Sequence, residues 1–114
     1  MAVCRLDPSS EVPGWATEAA LFSVMRTPDE LSVVCPEGNV PVGVKSEAGW
    51  RVLALEGPFE FSAVGVLASV ASPLAEAGVS IFALSTYDTD YVLVKEEGID
   101  RAVSVLRERG HEVL

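Results

Sequence analysis

Apolar positions run through this chain in short blocks cut by Gly, Pro and clustered polar residues, and their spacing changes from block to block. From Trp50 the pattern is easiest to read. Trp50-Arg51-Val52-Leu53-Ala54-Leu55-Glu56 alternates loosely and predicts a strand, which Gly57-Pro58 ends. Ser62 then precedes a segment in which Val64, Leu67, Ala68, Ala71, Leu74 and Ala75 recur at helical spacing. Ser72-Pro73 falls inside it and predicts a kink or a two-part helix, with Gly78 as the closing residue. Val79–Leu84 and Tyr91–Lys95 predict two strands. Gly98-Ile99-Asp100 opens a second helix with Ile99, Ala102, Val103 and Leu106 on its apolar face. Asp100 suits the start of that helix and Arg107 and Arg109 its end. Gly110 stops it, and His111-Glu112-Val113-Leu114 can supply a last strand. The order β-α-β-β-α-β is the ferredoxin-like pattern of an α+β fold, an antiparallel sheet with helices on one face.

The first part is less regular. Ala2–Asp7, Leu21–Thr27 and Leu31–Pro36 read as strands, and Pro13–Ala19 has room for one or two helical turns at most. Glu37–Gly49 shows no period. The result is a shortened β-(short α)-β-β echo of the second part.

Val79, Ile81 and Ala83 lie on one face of their strand and Phe82 and Leu84 on the other, while Tyr91-Val92-Leu93-Val94 is apolar on both. A sheet with helices on one side only should show polar residues on the other. The second face is therefore expected to be covered, by the first part of the chain or by another subunit, and a symmetric homodimer is a reasonable expectation.

Between the two strands stands Ser85-Thr86-Tyr87-Asp88-Thr89-Asp90, six consecutive residues bearing hydroxyl or carboxylate groups. Turn geometry needs Gly, Asn or Asp, not this density of oxygen, so the run is a candidate ligand site. Ser62 to Gly65 stand at the predicted helix start, where free backbone N–H groups and the helix dipole suit a carboxylate. Asp88 or Asp90 suits an ammonium or a cationic side chain, with neutral hydrogen bonds from Ser85 or Thr86. Blander roles are open for each: Ser62 as an N-cap, Asp88 as an Asx-turn former, Asp90 as a solvated edge residue, Tyr87 and Tyr91 as packing residues.

Composition narrows the classes. The chain has 114 residues, 49% of them hydrophobic, enough for one compact domain or two small units. The net charge of −9 is spread: 3 basic and 7 acidic residues up to Trp50 give −4, and 5 and 10 beyond it give −5. A uniformly acidic surface argues against nucleic acid and anionic membranes as partners. No apolar stretch reaches membrane length, and Met1–Asp7 lacks the features of a signal peptide, so a cytoplasmic location is expected. Cys4 and Cys35 stand in strand-like contexts without CxxC spacing and read as two buried reduced thiols, with a single disulfide as the alternative.

Gly57-Pro58 with Phe61-Ser62-Ala63-Val64-Gly65, then Leu74-Ala75-Glu76-Ala77-Gly78-Val79-Ser80-Ile81-Phe82, then Ser85-Thr86-Tyr87-Asp88-Thr89-Asp90-Tyr91-Val92-Leu93-Val94, resembles the ACT-domain proteins of the small stand-alone bacterial type. It is similar also to the ACT modules of eukaryotic cytosolic arginine sensors. The resemblance covers Trp50–Leu114 closely and Ala2–Pro36 loosely. It implies a degenerate ACT-like unit over residues 1–49 and an ACT domain over 50–114. It further implies a regulatory module that binds an amino acid or another small effector between ACT units. The family's ligand-contacting positions carry over to Phe61, Ser62, Ala63 and Val64, then to Ser85, Thr86, Asp88 and Asp90. No catalytic domain accompanies these segments, unlike the enzyme-linked members.

The chemistry left over is thin. There is no GxSxG, phosphate-binding loop, HExxH or spaced Cys/His pair, and His111 is the single histidine, expected at a helix end or a strand edge. No cofactor or metal is expected and an enzyme is the least favoured class. The two remaining classes are an effector-binding module, with two carboxylates tilting towards a cationic amino acid, and a structural dimerisation module without a ligand.

Overall fold

Ala2 and Cys4 of Ala2–Leu6 (β1) are buried, as are Leu31, Val33 and Cys35 of Leu31–Cys35 (β3), while Ser23–Arg26 (β2) holds no buried residue. The computed structural model describes residues 1–55, 65–111 and 113, in two compact units, Met1–Gly49 and Trp50–Leu114. In the first, β1 lies between β3 and a three-residue strand Lys45–Glu47 (β4), giving an antiparallel sheet of order β2-β3-β1-β4. Its core is Ala2, Cys4, Ala16, Leu31, Val33 and Cys35. A single 3-10 turn, Gly14–Ala16, links β1 to β2, in line with the short helical link expected there. β4 was not foreseen, because Lys45-Ser46-Glu47 is exposed throughout and carries no apolar alternation.

The second unit is built on Trp50–Ala54 (β5), the helix Val66–Glu76 (α1), Ile81–Ser85 (β6), Asp90–Lys95 (β7) and the helix Ile99–Glu108 (α2). Its sheet is antiparallel with order β5-β7-β6. Val92 and Val94 from β7 join Val70 and Leu74 from α1 and Ala102 and Leu106 from α2 in one buried cluster. The α+β, ferredoxin-like class is as expected. Its last strand is not: His111 and Val113 are outside any strand, although Val113 packs on the core. Within α1, Val70 is buried while Ala68 and Ala75 are exposed, so the inward face is turned slightly from the expected one.

The opposite face of this sheet is apolar too. Register places Trp50, Val52, Phe82, Leu84 and Leu93 on it, and Leu93 is buried. Trp50 and Phe82 meet at a tilted ring contact, and Lys95 Nζ lies 4.8 Å from the Trp50 ring centroid, a cation–π distance.

α1 does not break at Pro73 and forms one continuous helix. Pro73 lacks the N–H that would reach the carbonyl four residues back, that of Ser69. His111 Nε2 lies 2.8 Å from that oxygen, so the carbonyl has a donor from outside the helix. Both helices end in a Schellman motif, with Gly78 and Gly110 at positive φ. Val79 N donates to Leu74 O and Gly78 N to Ala75 O; likewise His111 N donates to Leu106 O and Gly110 N to Arg107 O.

Candidate functional site

The polar run is shorter as a turn than its sequence suggests. Ser85 and Asp90 form the last ladder pair of β6 and β7, so only Thr86–Thr89 turn. Thr86 N donates to Thr89 O at 2.8 Å, the Thr86 hydroxyl donates to the same oxygen at 3.0 Å, and Thr89 N donates back to that hydroxyl at 3.1 Å. Thr89 Oγ1 donates to Leu55 O at 2.5 Å and Leu55 N donates to Asp90 O at 2.9 Å, fastening the end of β5 to the hairpin. Part of the oxygen excess is thus the architecture of the hairpin itself. The Thr86 hydroxyl keeps one lone pair.

The first unit repeats this turn. Thr27 N donates to Glu30 O at 2.9 Å, and Glu30 N donates to the Thr27 hydroxyl at 3.1 Å. Strand for strand the registers correspond: Arg26 pairs with Leu31 as Ser85 pairs with Asp90, and Val24 with Val33 as Ala83 pairs with Val92. The equivalence isolates what is particular to the second unit. Where the first has the completely buried Leu31, the second has Asp90, half-buried on the face shared with Val92 and Val94. Asp88 is exposed at the hairpin tip and makes no hydrogen bond or ion pair among the described residues, so no Asx-turn holds its carboxylate. Tyr87 beside it is 79% exposed.

The helix start differs from the expected one. α1 begins at Val66, with Gly65 as N-cap in the left-handed region at φ 82°, no side-chain cap and no acidic residue in its first turn. The N-cap is thus Gly65 and not Ser62. Glycine suits Gly65 because a side chain there would be strained. Among the described residues no side chain caps the first-turn amides, the condition under which a helix start receives an anion. Phe61, Ser62, Ala63 and Val64, like Gly57-Pro58, lie outside the described residues. Ser85, Thr86, Asp88 and Asp90 share one end of the sheet, the end at which Leu55 leads towards residues 56–64.

Other chemistry is sparse. A shallow depression of about 550 Å³ along α2, lined by Asp100, Val103, Ser104, Arg107 and Glu108, shares no residue with the hairpin. Among the described residues no three His, Cys, Asp or Glu side chains stand together as metal ligands, and no helix is long and apolar enough to cross a membrane. Cys4 and Cys35 are free and buried. Burial, reinforced by the neighbouring Cys35 thiol, pushes the Cys4 thiol up to about 11, and burial also raises Cys35. Sequence reasoning missed His111 as a helix partner; the signal was Pro73 inside a helical period, which requires a donor from elsewhere.

The ACT-domain family model matches residues 45–108, and a second family model, of an N-terminal domain, matches residues 1–43. The chain belongs to the ACT-domain family, at family level a regulatory, amino-acid-binding module. Subunit 1 of the human cytosolic arginine sensor for mTORC1 is 39% identical over 61 residues, 53% of this chain and 18% of the sensor. The chain thus spans less than a fifth of the curated relatives it matches first. A crystal structure of an Agrobacterium tumefaciens protein superposes with a TM-score of 0.94 at 37% identity, covering 99% of this chain and 84% of that one. Aspartokinase alpha and beta subunits, at a TM-score of 0.61 and 20% identity over 95% of this chain and 89% of theirs, share the fold.

Proposed function

We propose that this protein is a non-catalytic regulatory module that binds a free cationic amino acid, with L-arginine the first to test. The observation that carries the reading is Asp90: a carboxylate on the core-facing side of the sheet, where the equivalent strand of the first unit has a completely buried leucine. A half-buried charge is costly unless a partner compensates it, and a cationic ligand is such a partner. Similarity over 61 residues to a protein named as a cytosolic arginine sensor supports the same ligand class.

In this reading Asp90 accepts from the cationic end or the ammonium of the ligand, with Asp88 supplying a second, solvated carboxylate. The amides at the start of α1 and the Phe61-Ser62-Ala63-Val64 segment receive the ligand carboxylate. Ser85 and the remaining lone pair of Thr86 add neutral hydrogen bonds. The effector site lies at an interface between ACT units, and the chain itself is read as a degenerate ACT-like unit, residues 1–49, followed by an ACT domain, 50–114. The protein is a cytoplasmic homodimer whose occupancy sets the state of a partner. The apolar second face of the sheet favours one other reading, a dimerisation module with no ligand.

Thermal denaturation with each of the twenty amino acids at millimolar concentration separates the two. A site filled at 100 times its dissociation constant adds about 2.7 kcal/mol to stability. A shift confined to basic amino acids is expected; no shift with any of the twenty leaves only the dimerisation module.

A further inference from the structure

The Ser69 carbonyl lies where Pro73 has no N–H to give, and His111 Nε2 stands 2.8 Å from it. A carbonyl oxygen only accepts, so Nε2 is the protonated ring nitrogen in this contact. His111 is itself held on both sides. Its own N–H donates to Leu106 O at 3.0 Å in the Schellman turn that ends α2, and Arg107 Nη2 donates to Val113 O at 2.8 Å just beyond it. An ion pair between Arg109 and Glu76 joins the same two helices. The ring is therefore presented to α1 by a fixed turn.

We propose that His111 is a positioning residue for the amino-acid site: by donating to Ser69 O it secures the opening turns of α1 and so aims the amides of Val66 and Leu67 at the effector. Gly65 gives the start of α1 no side-chain cap, and Pro73 has no N–H to donate to Ser69 O, the place where His111 donates instead. The consequence for the effector rests on the amino-acid-binding reading above; the hold on α1 does not.

The test couples two substitutions. His111→Phe keeps a ring and removes the donor, while Pro73→Ala restores a helical N–H to Ser69 O. In His111→Phe, backbone amide exchange at Ser69 and Val70 is expected to quicken about three- to tenfold and the Kd for L-arginine to rise by a similar factor. In the double variant both should return to within about twofold of Pro73→Ala alone, a rescue that a general packing role for the ring would not produce. Unchanged exchange in His111→Phe, or no rescue, overturns the hold on α1. Faster exchange with unaltered L-arginine affinity overturns the positioning role. Where L-arginine fails to bind even the wild-type protein, the amino-acid reading fails for that ligand and the exchange measurements still decide the hold. Should His111→Phe not fold, the double variant decides: folding supports the inference and failure overturns it.

Discussion

Leu31 and Asp90 occupy the same place in two sheets of matching register. Each is the first ladder residue of an inner strand, opposite Arg26 in one unit and Ser85 in the other. One is completely buried in a hydrophobic core and the other carries a half-buried carboxylate on the same face. Packing alone accounts for the leucine. It gives no reason for the aspartate, which makes Asp90 the residue at which binding and stability should part.

Asp90→Leu is accordingly expected to leave the ligand-free protein as stable as wild type or more so, by about 1 kcal/mol for a partly buried leucine. It should abolish stabilisation by L-arginine, and Asp90→Asn should do so while changing shape little. Melting curves with and without the amino acid read both effects. A large loss of ligand-free stability in Asp90→Asn would instead give the carboxylate a structural role.

Thr27 and Thr86 should behave as a pair. Each hydroxyl receives the N–H three residues on and bridges the mouth of its hairpin. Thr27→Val and Thr86→Val are each expected to cost about 1–2 kcal/mol in urea denaturation, the range for a lost hydrogen bond with a donor left unsatisfied. Asp88→Ala, at an exposed tip, should change ligand-free stability by no more than about 0.5 kcal/mol. A cost at Asp88 as large as that at Thr86 would make the tip part of the turn framework.

How far the sequence could be read follows from what each element signals. The inner strands, with apolar residues recurring in Ala2–Leu6 and Leu31–Cys35 and running from Tyr91 to Val94, were legible by pattern, and Gly78 and Gly110 marked both helix ends. β4 was invisible because three exposed polar residues have no period; only pairing with β1 makes them a strand. Pro73 predicted a break because local chemistry forbids its hydrogen bond, whereas the donor from His111 is tertiary. The polar run was legible as unusual, yet its division into hairpin framework at Thr86 and Thr89 and unexplained charge at Asp88 and Asp90 needed the register.

Association is the next expectation. Trp50, Val52, Phe82, Leu84 and Leu93 make the second face of the sheet apolar, and the proposed effector site lies between ACT units. Sedimentation equilibrium should give twice the monomer mass of 12.1 kDa. A monomer at micromolar concentration would remove the homodimer from the proposal and leave any effector site to be completed within one chain.

The buried thiols predict how stability responds to alkali. Burial, reinforced by the neighbouring Cys35 thiol, raises the Cys4 thiol from 9.0 to about 11; burial raises Cys35 as well. A thiol free in the unfolded chain loses its proton near 9.0, so below that pH both states hold the proton and the thiols are neutral in each. Above it the unfolded state binds fewer protons than the folded one, and stability falls with rising pH until the folded thiol also ionises, at about 11 for Cys4. Urea midpoints measured from pH 8 to 11 should therefore decline, and the decline should be shallower in Cys4→Ala, whose absolute stability is lower at every pH because a buried side chain is truncated. Equal slopes in the two proteins would mean that Cys4 titrates alike in the folded and unfolded states, and its burial would then be looser than its place opposite Val33 in the core implies.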